Sequence, residues 1–205
     1  IRKRFAIRSF CVVADRGMIS AETLAQLEPP QSPLPYILGV RMRKLKAMAE
    51  VLSRAGRFRE VHPDGKGSNE PSPLSVKQVV HNGDRYIVCF NPRQARKDAQ
   101  QREQILSALS EQLKQGATSL VGNKGFRRYL KIDKGAARID EAKVKAEARY
   151  DGKWILRTNT ELSAEQVALK YKQLWQVERV FRDVKSLLLT RPIFHQRDRT
   201  IRGHV

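Results

Sequence analysis

Two cysteines in 205 residues, with no Cys-x-x-Cys pair, leave nothing from which to build a zinc ribbon. Cys11 ("SFCVVA") and Cys89 ("RYIVCFN") each stand in an apolar, strand-like run. They read as small buried hydrophobes in a reducing compartment. The histidines (His62, His81, His195, His204) are scattered, and no two stand at metal-ligand spacing. No apolar run approaches the length of about 18 residues that a membrane span needs, and no signal peptide is visible. No membrane role and a cytoplasmic location are therefore expected. "GNKG" lacks the Gly-Lys-Ser/Thr ending of a phosphate loop, and the chain has no internal repeat.

Acid is also scarce. Asp and Glu number 21 against 40 Lys and Arg, a net charge of +19. An excess that large favours a polyanionic partner, above all nucleic acid. With 40% hydrophobic residues the chain can still bury a real core. Its length suits one large domain, or one domain carrying an insertion.

The order of elements points to an α/β architecture. "RSFCVVADRGMIS" is an apolar strand that runs into a turn at Asp15, Arg16 and Gly17. A short helix, "SAETLAQLE", follows with Ser20 as its cap, and "YILGVRM" is again a strand. Strand, helix, strand is a βαβ-like unit. "KLKAMAEVLSRA" suits a helix and "PDGKGSNEPSP" a loop. Asn82-Gly83 between two strand-like runs predicts a hairpin, and Asp151-Gly152 predicts a second. Asn91, Pro92 and a trailing Gly116 frame a long helix over 92–115. Its second half, with Ile105, Leu106, Leu109 and Leu113, should pack, and its charged first half should be solvated. Ser163 and Gln166 form a capping box that opens a last helix from Ala164 to about Leu189.

At about 100° per residue, Leu174, Val177, Phe181, Val184 and Leu188 form the apolar face of that last helix. Val167, Tyr171, Glu178 and Lys185 fall in one row along its margin. A margin is partly desolvated yet reachable, which suits a functional carboxylate. The plainer alternative pairs Glu178 with Arg182, worth only about 0.3–0.5 kcal/mol. Asp15 stands at the carboxyl end of a strand, where open α/β sheets place ligand sites, although a turn aspartate is common. An acid after a strand, a second on a late helix and a very basic chain match the needs of two-metal phosphoryl transfer, with Mg²⁺ or Mn²⁺ on hard oxygen ligands.

The spacing Tyr171, Leu174, Glu178, Lys185 resembles the Y-x2-R-x3-E-x6-K signature of bacterial insertion-sequence transposases with an RNase H-like DDE domain. "VVADRGMIS" is similar to the strand and turn that carry the second catalytic aspartate of that group. "YDGKWILRTNTELSAEQVALKYKQLWQVERVFRDVKSLL" is similar to its approach to the catalytic glutamate, and "RPIFHQRDRTIRGHV" to the stretch beyond it. The resemblance implies a partial RNase H-like fold. Residues 1–42 would form the second half of the sheet core, 43–148 a mixed α+β insertion, and 149–205 the return strand and glutamate helix. It implies catalytic, metal-binding roles for Asp15 and Glu178, and a two-metal Mg²⁺ or Mn²⁺ site. Tyr171, Lys185, Arg182, Arg16 and Trp175 would lie against DNA. The partners implied are double-stranded DNA, as element ends and target, and a second copy in the synaptic complex, in a bacterial, nucleoid-associated setting.

Two departures stand out. Leu174 occupies the arginine position of the signature. The first catalytic aspartate, on the first strand of the sheet, would precede Ile1, so the chain is expected to be a fragment that is inactive alone. A non-catalytic basic DNA-binding remnant and an RNase H-like nuclease are the alternative readings.

Overall fold

The computed structural model describes residues 10–61, 74–115, 124–133 and 136–187. The β1 strand (Val12–Ala14) leads through α1 (Ala21–Leu27) to β2 (Tyr36–Gly39). Ser20 caps α1 by accepting from the Thr23 N–H at 3.1 Å. The two strands pair in parallel, Ala14 opposite Leu38, so the expected βαβ unit is present.

After α2 (Ala47–Ser53) come β3 (Arg59–Val61), β4 (Leu74–His81) and β5 (Asp84–Phe90). Asn82 and Gly83 both have positive φ, 52° and 82°, which gives the β4–β5 hairpin its tight turn. Next are α3 (Pro92–Gln115), α4 (Lys124–Arg127), the paired strands β6 (Leu130–Asp133) and β7 (Ala136–Ile139), and α5 (Glu141–Ala148). The described chain closes with β8 (Lys153–Thr158), α6 (Ala164–Lys172) and α7 (Leu174–Leu187).

The main sheet has the order β1-β2-β8-β5-β4-β3, parallel at β1–β2 and antiparallel elsewhere. The expected α/β class is thus observed, and strands from the 43–148 stretch share one sheet with the strands on either side of it. Alternation along the strands gives the sheet two apolar faces. Ile37, Ile87, Cys89 and Leu156 pack under Val167 and Ala168 of α6. On the other face Val88 and Ile155 pack with Met48 and Val51 of α2, and Tyr36 and Leu38 with Leu24 and Leu27 of α1. A smaller cluster joins Leu109 of α3 to Tyr129, Leu130 and Val144.

Four local expectations need correction. Asp151-Gly152 does not join two strands: the residues before it form α5, because Asp140 caps that helix by accepting from Ala142 and Lys143 N–H. "EAKVKAEA" alternates polar and apolar residues as a strand would, but Ala, Glu and Lys are strong helix formers, and with a good cap they decide it. The first half of α3 is not free in solvent throughout. Asp98 accepts from Gly152 N–H at 2.8 Å and Arg102 meets Asp151 at 2.5 Å, although Arg96 and Lys97 remain exposed.

The last helix is not one rod. It breaks at Gln173, whose N–H is shared by the Leu169 and Lys170 carbonyls at 3.2 Å, and Gln176 N–H reaches back only three residues, at 3.0 Å. This is a tight 3₁₀-type turn. α6 stays on the sheet, whereas the face of α7 expected to pack leaves Val177 50% and Phe181 60% exposed. Finally, β1 is half-buried rather than buried, with Cys11 just ahead of it, because β1 lies at the end of the sheet order. His62, "PDGKGSNEPSP", Gly116, Leu188 and "RPIFHQRDRTIRGHV" lie outside the described residues.

Candidate active site

Parallel β1 and β2 end side by side, and both open into one cavity of about 370 Å³. Asp15 and Arg16 line it from the turn after β1, Gly39 from the end of β2, and Tyr171, Lys172 and Leu174 from the α6–α7 junction. Trp154 and Ile155 of β8 and Met42 complete its wall.

How α6 reaches this point follows from its start. Thr158 donates its hydroxyl to the Tyr36 carbonyl at 2.7 Å, and Asn159 Oδ1 accepts from the Tyr36 N–H at 2.8 Å. These bonds fix the end of β8 against the start of β2. The Ser163–Gln166 capping box then launches α6. Val167 is fully buried against the sheet, and Tyr171 follows four residues later on the same helix face.

The Tyr171 hydroxyl donates to Asp15 Oδ1 at 2.7 Å, across 156 residues of sequence. Asp15 is exposed at the turn. Partial burial works against its charge. The Tyr171 hydroxyl, the N–H groups of Arg16 and Gly17, and the Arg16 guanidinium outweigh that and hold its carboxyl below the ordinary aspartate value. Asp15 is therefore a carboxylate at neutral pH. Burial, and then the hydrogen bond to Asp15, push the Tyr171 hydroxyl well above the usual tyrosine range, so it stays a donor.

Tyr171 fits because position 39 is a glycine. A Cβ built on Gly39 would run into the Tyr171 hydroxyl oxygen and stand 3.0 Å from the Arg16 nitrogen. A glycine inside a strand pattern marks such a close approach, and "YILGVRM" carries that signal.

Replacing Tyr171 with phenylalanine keeps the ring in its seat and removes only the bond to Asp15. Hydrogen bonds to charged groups contribute about 1.5–3 kcal/mol, and the exposure of Asp15 places the expected loss at the low end. A carboxyl whose pKa is lowered by folding stabilises the fold above its unfolded pKa and loses that contribution as pH falls through the lower folded value. The wild-type advantage over Tyr171→Phe, read from urea midpoints, should therefore persist at pH 7 and shrink below pH 3.8, the ordinary value.

Of the other residues singled out by sequence, Arg16 lines the cavity beside Asp15 and Arg182 is exposed on α7. The backbones of Trp175, Glu178 and Lys185 run through α7, but their side chains lie outside the described residues. Among the described residues no three His, Cys, Asp or Glu side chains gather as a metal site. The structure adds Gly39, Arg41, Lys172 and Trp154 to the site. Arg41 donates to the carbonyls of Arg16 and Gly17 at 2.8 and 3.0 Å. Trp154 keeps its indole N–H buried at the cavity wall, with no hydrogen-bond partner among the described residues. No sequence signal singles out Arg41 or Trp154.

A family model described as a transposase DDE domain matches residues 1–200. The chain belongs to this transposase family. The six-stranded mixed sheet with its helices is consistent with an RNase H-like DDE domain. Membership makes DNA transposition the general function of the domain and DNA its partner. No curated protein and no solved structure matches the chain. No helix among the described residues of this DDE domain is long and apolar enough to cross a membrane.

Proposed function

We propose that this DDE domain serves a bacterial insertion-sequence transposase that cuts DNA at the ends of the element and joins the freed 3′-hydroxyl to target DNA. The observation that carries the reading is the Tyr171–Asp15 hydrogen bond. It brings the tyrosine of the glutamate-helix signature onto the aspartate of the strand-turn motif, at the carboxyl ends of two parallel strands, in a chain of net charge +19.

Asp15 fits a divalent cation. It is an ionised, exposed oxygen ligand, and Tyr171 takes one of its about four acceptor positions. One carboxylate does not make a site. Glu178 is proposed as the second ligand, since it follows the cavity residue Leu174 by four positions and residues so spaced share a helix side. When bound, Mg²⁺ or Mn²⁺ supplies activation of the attacking oxygen and stabilisation of the leaving one.

The chain's own residues do the rest. Tyr171 holds its proton and orients Asp15. Arg16, beside Asp15, and Lys185 place positive charge toward the phosphate, and Trp175 and Arg182 contact the DNA from elsewhere on α7. Leu174, in place of the arginine of the signature, gives the cavity an apolar wall there. Residues 1–42 and 149–205 supply the catalytic core, and 43–148 is an insertion between them. The first acid of the triad is proposed to lie on a strand ahead of Ile1. In support, β1 is paired only with β2 among the described residues. Pairing of two element ends by a second copy belongs to the same reading.

The net charge of +19 also suits a second reading, a DNA-binding module without cleavage. One experiment separates them. A protein that carries this chain with its upstream residues is incubated with element-end DNA, with Mg²⁺, with Mn²⁺ and after EDTA. Cleavage that EDTA abolishes and excess Mg²⁺ restores is expected. Binding without cleavage under either metal, with a log–log salt slope of about −0.9 per phosphate contact, would establish the module instead.

A further inference from the structure

We propose that Arg41 is a positioning residue for the turn that carries Asp15, an inference that rests on the role given to Asp15 above. The turn after β1 is exposed and closed from within by one backbone bond, Met18 N–H to the Asp15 carbonyl at 3.0 Å. At its tip Gly17 has no heavy atom of the described residues within 4 Å of where a Cβ would stand. An exposed turn with a glycine at its tip gives little order to the carboxylate it carries.

Arg41 supplies that order from outside. Its Nε donates to the Arg16 carbonyl at 2.8 Å and its Nη2 to the Gly17 carbonyl at 3.0 Å, so one planar fork spans two successive carbonyls. The backbone behind the fork is fixed. Val40 N–H donates to the Ile155 carbonyl at 2.9 Å, and Met42, next along the chain, is buried. The end of β2 thus acts on Asp15 twice. Gly39 leaves space for Tyr171 to reach the carboxylate, and Arg41 holds the turn that presents it.

The rival role for an exposed arginine in so basic a chain is a plain phosphate contact. Two measurements on Arg41→Ala and Arg41→Lys decide between them. Backbone ¹⁵N order parameters are read on the free chain, without metal or DNA. The salt slope of DNA affinity is read separately. In Arg41→Ala the order parameters of Arg16, Gly17 and Met18 should fall from about 0.85 to below about 0.6, with β8 unchanged and the salt slope unchanged. Arg41→Lys keeps the charge but loses the fork, so it should restore order only in part. A turn as ordered in Arg41→Ala as in the wild type overturns the proposal. So does a slope reduced by about 0.9, one phosphate contact, with the turn unmoved. Because turn order is read on the free chain, its failure leaves the role of Asp15 standing, and failure of that role leaves the clamp standing.

Discussion

Asp15→Asn is expected to abolish divalent-metal-dependent cleavage of element-end DNA while leaving DNA binding within about twofold of wild type. The same outcome is expected of Glu178→Gln. Asparagine is nearly isosteric, and its side-chain oxygen can still accept from Tyr171, 2.7 Å away. It also remains a good turn residue for the Arg16 and Gly17 N–H groups. What it removes is a full negative charge and one hard oxygen ligand. Stabilisation through a bound cation amounts to several kcal/mol, and each 1.4 kcal/mol is tenfold in rate. The expected loss is therefore on the order of 10³-fold or more.

The contrast with a merely structural aspartate is sharp. If Asp15 only caps its turn, asparagine replaces it and cleavage proceeds at the wild-type rate, which would falsify the assignment. The assay is run on the protein as its gene encodes it, with cleaved and bound DNA measured in the same reactions.

The largest effect on stability is expected at Gly152. Its φ is +61°, and a Cβ there would strike the Asn91 carbonyl and stand 2.7 Å from the Ala95 nitrogen. These are backbone atoms of the first turn of α3 and its cap, so they cannot rotate away. The same turn is tied down by Asn91 N–H to the Gly152 carbonyl and by Gly152 N–H to Asp98, each at 2.8 Å. A non-glycine residue in the left-handed region costs roughly 1–2 kcal/mol, and forced overpacking typically a further 1–3. Gly152→Ala should thus lose roughly 2–5 kcal/mol in total, a drop of about 1–2 M in the urea midpoint. Gly83→Ala is the control. Its φ is +82°, but among the described residues nothing lies within 4 Å of the added carbon, so only the conformational cost applies. Equal losses in the two variants would show that α3 does not press on this turn.

Much of the local structure was legible because it depends on neighbours in sequence. Ser20, Asn91 and Ser163 cap the helices assigned to them, and Asn82-Gly83 makes its hairpin. Asp15 and Tyr171 were marked by motif and spacing, and they meet. The misreadings have one source, since local pattern was asked to report on distant partners. Asp151-Gly152 carries a turn signal that serves a hairpin or a helix-to-strand corner equally well, and the Asp140 cap upstream decides between them. The stripe Val177, Phe181, Val184 has the period of a core-facing helix. Period states which residues share a face. It does not state whether anything covers that face, and the tight turn at Gln173 leaves α7 off the part of the sheet that α6 covers.

By itself the sequence determined the partner class, through a charge excess that no fold can hide, and the α/β order of elements, through periodicity and caps. It also singled out Asp15 and Tyr171, by motif and spacing. Only the tertiary structure decided that they touch, that Gly39 must lack a side chain for them to do so, and that Arg41 reaches across to the turn. Such contacts depend on where parallel strands end and how far a helix runs over the sheet. Register and packing of the whole core set those distances, and no short stretch of sequence contains them.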